Sequence, residues 1–304
     1  MRALALHPDV LVVSSAVLHV NCVIVRGTVD AADGHDAQDA GSVGGDGSVE
    51  DGGAENPVRV IEPGTTAGSA AAPLAETFVI DSPVLPDELD ALGALLGQAR
   101  FPAPSGLLVT HGDWDHMLAR LAFPAVALGA SQSTAERMQA NPGEAQRELR
   151  AFDEELMITR QAPLALGSVQ ALPVPGRCDV GDRELELHEA TGHTPDGMAV
   201  MIPWAGVLVA GDYLSPLEIP MLNDGGDVDA YLATLERLRG LGGRAAQVVP
   251  GHGPVLDSER ALEILEQDVA YLSGLGAVGA EAELPEGRRG AQQRAVHAQN
   301  VAAL

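Results

Sequence analysis

The chain contains no lysine; all 18 of its basic residues are arginine. That excludes Schiff-base chemistry, an internal pyridoxal-phosphate linkage and a phosphate-binding P-loop lysine. Cysteine is almost as scarce. Cys22 and Cys178 are the only two, they lie far apart, and neither belongs to a Cys-x-x-Cys pair. A disulfide scaffold is excluded, and a reducing, cytoplasmic setting is expected. Positive charge is lacking too: 18 basic against 43 acidic residues give a formal net charge of −25. Nucleic-acid backbones and anionic membranes, which need clustered cations, are therefore not expected partners. No apolar run approaches the roughly 18 residues of a spanning helix. His7, Pro8 and Asp9 interrupt the apolar start, and no small-x-small cleavage site follows, so a signal peptide is not expected.

What is present is a core. Of 304 residues, 46% are hydrophobic, enough for one large α/β domain or two small ones. Val10–Val13 and Val20–Val25 read as strands. Residues 30–56 then carry eight acidic residues, seven glycines and no basic residue. Such a tract cannot bury enough apolar surface to offset its chain entropy, so it reads as a disordered acidic insert. Thr77–Asp81 is a predicted strand. Pro86 opens a helix that presents Leu89, Leu92, Leu95 and Leu96 at helical spacing towards Arg100. Gly106–Thr110 reads as a short buried strand. A capping box at Ser133–Glu136 and the proline at 142 predict two more helices. Residues 163–174 and 183–190 read as strands, with His188 on an exposed polar face. Met198–Ile202 and Val207–Ala210 form a hairpin, Tyr231–Leu238 is helical, Gln247–Val249 is a strand and Asp257–Leu272 a helix. The Arg/Gln/Ala-rich end beyond Pro285 reads as a terminal helix, so a core of residues 1–274 is followed by a tail of residues 275–304.

Chemistry-bearing residues gather just after predicted strands. Thr110-His-Gly-Asp-Trp-Asp-His116 places four potential ligands, His111, Asp113, Asp115 and His116, within six residues. Alternate positions of an extended turn converge on one side while His116 leaves from the other, so such a segment can serve two neighbouring ions. Three later segments add Gly-flanked ligands: His193 in Gly-His-Thr-Pro, Asp212 in Ala-Gly-Asp, and His252 in Pro-Gly-His-Gly. Glycine permits the tight turns and close backbone approach that a metal site needs. Imidazole suits Zn, Fe or Ni, and carboxylates add harder character. A hydrated acidic turn explains the first segment alone; it does not explain all four in order.

This order of motifs resembles the metallo-β-lactamase superfamily, whose signature is a His-x-His-x-Asp-His turn, then a His, a bridging Asp and a late His. Asn21-Cys22-Val-Ile-Val is similar to the start of that family's domain, and Asp81 to its early strand-end Asp. The resemblance covers roughly residues 10–273. It implies an α/β fold, a four-layer αββα sandwich. It implies two divalent metal ions, Zn foremost with Fe or Mn as alternatives: His111, Asp113 and His193 on the first, Asp115, His116 and His252 on the second, and Asp212 bridging. One departure is plain. Asp113 stands where the family has its second His, adding a negative charge and tilting the first site towards Fe or Mn.

By the same resemblance the activity is hydrolysis of a small ester, thioester, lactone, lactam or phosphodiester by a metal-bound hydroxide, with Asp115 or Asp212 orienting it and relaying a proton. A small-molecule substrate is expected; the oligomeric state is left open. Tyr213–Met221 and residues 141–160 are expected to supply substrate contacts, and Trp114 to pack beneath its turn. The rival class is a non-haem iron oxidoreductase of the flavodiiron or persulfide dioxygenase type, since flavodiiron proteins place a carboxylate where Asp113 stands. Those proteins carry a flavodoxin-like domain, which is not expected within these 304 residues. A third possibility, a metal-free binding protein, is disfavoured by the near-complete ligand set.

Overall fold

The computed structural model describes residues 1–29, 74–223 and 225–304. The acidic insert expected at residues 30–56 lies outside them. Two sheets form the middle of the molecule. The first has seven strands in sequence order: β1 (Arg2–His7), β2 (Val10–Ser14), β3 (Asn21–Val29), β4 (Leu74–Ile80), β5 (Gly106–Leu108), β6 (Ala127–Ser131) and β7 (Val169–Leu172). It is antiparallel from β1 to β4 and parallel from β4 to β7. The second has six, β8 (Gly176–Val180), β9 (Arg183–Glu189), β10 (Met198–Ile202), β11 (Val207–Gly211), β12 (Gln247–Pro250) and β13 (Leu256–Asp257), again side by side in chain order.

The central strands of each sheet are buried on both faces, which is why β3, β10 and β11 read as nearly unbroken apolar runs. Alternation divides them between two cores. In β3, Val23 and Val25 point between the sheets, where they meet Leu185, Leu187, Val200 and Val209. Cys22 and Ile24 point outward and pack with Leu89, Leu92 and Leu96 of α1 (Pro86–Ala99), and with Leu149 of α4 (Glu144–Leu156). The second sheet repeats the arrangement. Leu208 and Ala210 face away from the sheet interface and pack with Leu235 and Leu238 of α5 (Val228–Gly242), and with Ile264 and Leu265 of α6 (Ser258–Val278). The result is a four-layer αββα sandwich. Among the described residues no helix is long and apolar enough to cross a membrane.

Several elements differ from the sequence reading. β1 was not expected; Arg2–His7 pairs with β2 as an edge strand whose side chains are mostly exposed, so it carries little apolar signal. Helix α3 (Gln132–Ala140) is capped by Ser131, whose Oγ accepts from the Thr134 N–H at 3.1 Å, not by Ser133. The helix begins as soon as the chain leaves β6. The strand expected over 163–174 shrinks to Val169–Leu172, because Leu164 is drawn into the helix-facing core instead. β8 was missed: its Arg177 and Asp179 mask a strand that pairs with β9. His188 is half-buried rather than exposed, with Nε2 3.3 Å from Glu186 Oε2. The terminal segment does form a helix, α7 (Ala291–Ala303).

Candidate metal centre

All seven predicted site residues come together at one end of the sandwich, each carried by a turn that leaves a strand. His111, Asp113, Asp115 and His116 follow β5, and Asp115 and His116 sit in a short 3-10 turn over Trp114–His116. His193 lies between β9 and β10, Asp212 directly follows β11, and His252 closely follows β12. Two glycines are required by the packing. A Cβ on Gly251 would stand 2.0 Å from Asp212 Oδ1, and one on Gly192, at φ +120°, would stand 2.2 Å from the Tyr231 backbone nitrogen. Only glycine allows these turns to close on one point.

The four imidazoles are held alike. His116 Nδ1–H donates to Asp81 Oδ2 at 3.0 Å, His193 Nδ1–H to the Met221 carbonyl at 2.8 Å, and His252 Nδ1–H to the Leu18 carbonyl at 2.8 Å. His111 Nδ1 lies 3.1 Å from Thr110 Oγ1, whose own hydroxyl donates to Asp81 Oδ2 at 2.9 Å. With each Nδ1 carrying the proton, each Nε2 lone pair is directed inward. The inward Nε2 atoms of His111, His116 and His193, together with Asp212 Oδ1, are buried with no hydrogen-bond partner. Four such orphans in one place are costly unless something binds them.

Their spacing fits a metal ion. His193 Nε2 lies 3.5 Å from Asp113 Oδ2 and 3.4 Å from Asp212 Oδ2, and His111 Nε2 lies 3.7 and 3.8 Å from the same two atoms. On the other side, His252 Nε2 is 3.5 Å from Asp115 Oδ2 and 3.2 Å from Asp212 Oδ2, while His116 Nε2 is 3.1 Å from Asp212 Oδ1. Donors bonded at about 2.0–2.2 Å to one tetrahedral ion stand roughly 3.3–3.6 Å from one another. His111, Asp113 and His193 make one group of that size, Asp115, His116 and His252 another, and Asp212 faces both.

The electrostatics agree. Burial disfavours charge on the rings, yet the carboxylates outweigh it: Asp113 and Asp212 raise His193 to about 9, and Asp212 and Asp115 raise His252 to about 10. Burial likewise pushes the Asp113 and Asp212 carboxyls up, and the facing imidazoles hold both well below the usual carboxylate range. Metal-free, the cluster binds protons in the places that cations would take.

A sequence model of the metallo-beta-lactamase superfamily matches residues 56–252. The chain belongs to the metallo-beta-lactamase superfamily. Solved structures of this fold superimpose on it at low sequence identity. A metallo-beta-lactamase family protein from Thermus thermophilus shares 17% identity at a TM-score of 0.60, over 99% of this chain and 93% of that one. A beta-lactamase domain protein from Burkholderia ambifaria shares 15% at 0.57, over 99% and 86%. A metallo-beta-lactamase from Pontibacter korlensis shares 16% at 0.52, over 87% and 98%.

Asp113 sits in a polar network of its own. Arg137 Nη1 donates to Asp113 Oδ1 at 2.9 Å and to Asp196 Oδ1 at 2.9 Å, and Asp196 Oδ2 accepts from the Gly112 N–H at 2.9 Å. Asn223 Nδ2 donates to Asp113 Oδ2 at 2.7 Å. Arg137, Asp196 and Asn223 were not found from sequence, since each lies in a segment with no motif of its own. Asp81 was noticed but given no role. It sits at φ +59°, accepts from the Thr110 N–H at 2.7 Å, and so ties the first motif to β4. Asn21 Nδ2 donates to the Pro250 and Gly253 carbonyls at 2.8 and 2.7 Å, bracketing the His252 turn. Tyr213 does not reach into the site as a donor to substrate. It is buried, and its hydroxyl accepts from the His193 N–H at 3.1 Å. Trp114 packs on Phe152 with ring centroids 4.7 Å apart.

Proposed function

We propose that this protein is a dinuclear metal-dependent hydrolase of small molecules with an ester, thioester, lactone or lactam-type carbonyl. The observation that carries the reading is the orientation of the imidazoles, with every Nδ1 engaged and the Nε2 atoms converging on Asp212 at ion-sharing distances. His111, Asp113 and His193 would hold one ion, Asp115, His116 and His252 the second, and Asp212 would serve both. Bound divalent ions supply Lewis acidity and a water acidified towards neutral pH.

The chain's own residues do the rest. Asp115 or Asp212 would orient the attacking water and relay its proton. Ser82 steadies Asp115 by donating to its backbone carbonyl at 2.9 Å while accepting from the Leu118 N–H at 2.8 Å. Asp81 keeps the proton of His116 on Nδ1. A recess of about 550 Å³ between α3, α4 and residues 164–169 shares a wall with the site through Gly112 and Arg137. Its volume is that of a small-molecule pocket. Arg137 is engaged by three carboxylates, Asp113, Asp196 and Glu144, which leaves it poorly placed to capture a polyanion.

Asp113 favours a second reading, a non-haem iron oxidoreductase, because a third carboxylate hardens the donor set. Elemental analysis and an absorption spectrum of the purified protein separate the two. Two colourless Zn ions per chain, with turnover in a panel of thioester, lactone, nitrocefin and phosphodiester substrates, fit hydrolysis. Iron with a ferric charge-transfer band and no hydrolysis would replace that reading with redox chemistry. Absence of bound metal after metal-supplemented expression would end both.

A further inference from the structure

The segment between Asp212 and Asn223 has no regular secondary structure and contains Pro216 and Pro220, yet much of it is buried. Buried backbone groups need partners, and this stretch supplies few to itself, Ser215 Oγ accepting from the Leu217 and Glu218 N–H groups at 3.2 and 3.1 Å. Several others come from the C-terminal end of the chain. Arg288, 3% exposed, donates to the Ser215 and Glu218 carbonyls at 3.1 and 2.7 Å and pairs with Asp268 at 2.7 Å. Gln293 Nε2 donates to the Leu217 carbonyl at 2.8 Å. Asn300, on α7 and fully buried, accepts from the Leu222 N–H at 2.9 Å through Oδ1 and donates to the Pro220 carbonyl at 2.7 Å through Nδ2.

Those last two contacts lie on either side of Met221. The Met221 carbonyl is the group that accepts from His193 Nδ1–H. The Asn300 amide has one possible orientation here, since Leu222 N–H can only donate and the Pro220 carbonyl can only accept. Tyr271 fixes the amide further, its hydroxyl lying 3.0 Å from Asn300 Nδ2. Immediately beyond, the Asn223 N–H donates to the His193 carbonyl at 2.8 Å, and the Asn223 side chain reaches Asp113. One buried amide thus sets the stretch of backbone that orients one imidazole and one carboxylate of the same donor group.

We propose that Asn300 is a positioning residue for the metal centre: by bracketing Met221 it fixes the carbonyl that holds the His193 ring and the tautomer with Nε2 free. The proposal rests on His193 being a metal ligand. It places a determinant of the site 48 residues beyond the matched region's last residue, His252, in a helix that touches no ligand directly. Partners of metal-bound histidines are typically worth about 10–100-fold in metal affinity, and Asn300 acts one contact further out, so about tenfold is expected.

The test uses the full-length protein and Zn²⁺ as the probe, with affinity from competition against a chromogenic chelator. In the Zn-loaded protein, the solvent exchange of His193 Nδ1–H is followed by NMR. Asn300→Ala is expected to weaken the weaker-held Zn about tenfold and to speed that exchange by a similar factor. Gln293→Ala, which releases the same segment at Leu217, should change neither. If Asn300→Ala does not fold by circular dichroism, Asn300→Asp decides by the same two readouts, keeping the shape and losing the donor to Pro220. Unchanged affinity and exchange overturn the proposal, as does an equal effect from Gln293→Ala, which would mean general loosening. His193→Ala separates the premise: it should lower the Zn count from two to one. If both ions stay, the ligand reading fails and the Asn300 proposal falls with it. If one is lost while Asn300→Ala is silent, only the Asn300 proposal falls.

Discussion

Arg137 Nη1 stands 2.9 Å from Asp113 Oδ1, so this carboxylate, a third one in the candidate donor set, is accompanied by its own counter-charge. The same nitrogen reaches Asp196, which pins the Gly112 turn. One guanidinium therefore offsets the extra charge and fixes the direction of the side chain that bears it, leaving Oδ2 towards His111 and His193.

Removing that guanidinium should be felt most without metal. Truncating one partner of a buried ion pair typically costs about 3–5 kcal/mol. Arg137→Ala should therefore lower the unfolding free energy of the metal-free protein by about that amount. Metal should recover part of the loss, because a bound cation supplies positive charge to Asp113. Urea unfolding with and without Zn checks this; an identical loss in both would show that Asp113 shares no charge with the ion.

Asp113→His should shift preference towards Zn and move the acidic limb of the pH–rate profile to lower pH, since imidazole is neutral and softer than carboxylate. Asp113→Ala should cost more affinity than Asp113→His, because it opens a coordination position. Competition titrations with Zn and Mn compare the three proteins. Equal affinities throughout would remove Asp113 from the donor set.

Asp212 faces both donor groups, so its loss should not be confined to one ion. Asp212→Ala should lower metal content at both positions. Activity should fall by more than the roughly 10–100-fold typical of losing an outer partner. Metal counting by mass spectrometry gives the answer directly, and retention of both ions contradicts the bridging role.

Asp81 is not itself a proposed ligand, yet it accepts from the Thr110 N–H, the Thr110 hydroxyl and His116 Nδ1. Asp81→Ala should lower metal affinity by about 10–100-fold. Asp81→Asn keeps an oxygen acceptor and should lose less. The ranking of the three proteins in a chelator competition is the measurement; equal affinity of wild type and Asp81→Ala would contradict it.

The metal-free fold should respond to pH in an uncommon direction. His193 and His252 are raised by their carboxylate neighbours to about 9 and about 10, above the roughly 6.5 of an unfolded chain. Their contribution to stability is complete below about pH 6.5 and is lost as pH rises through 9–10. The melting temperature of the metal-free protein should therefore fall between pH 7 and 10. That of the Zn-loaded protein should fall less, and metal uptake near pH 7.5 should release protons. Thermal melts across this range, and titration calorimetry in two buffers of different ionisation enthalpy, provide the check.

Much of this protein is determined locally and is legible along the chain. The apolar runs of β3, β10 and β11 report strands buried on both faces, and the Leu89, Leu92, Leu96 spacing reports the buried stripe of α1. The donors His111, Asp113, Asp115, His116, His193, Asp212 and His252 are legible because ligands at strand ends need Gly-bearing turns, and those turns are short sequence signals. What tertiary structure alone decided is what holds the donors. Leu18, Asp81, Arg137, Met221 and Asn300 act through a few backbone or side-chain contacts with partners distant in sequence. Such a contact leaves no periodicity or spacing behind, because nothing in the local chain requires it. It exists only once two sheets and their outer helices have brought remote segments to the same end of the sandwich.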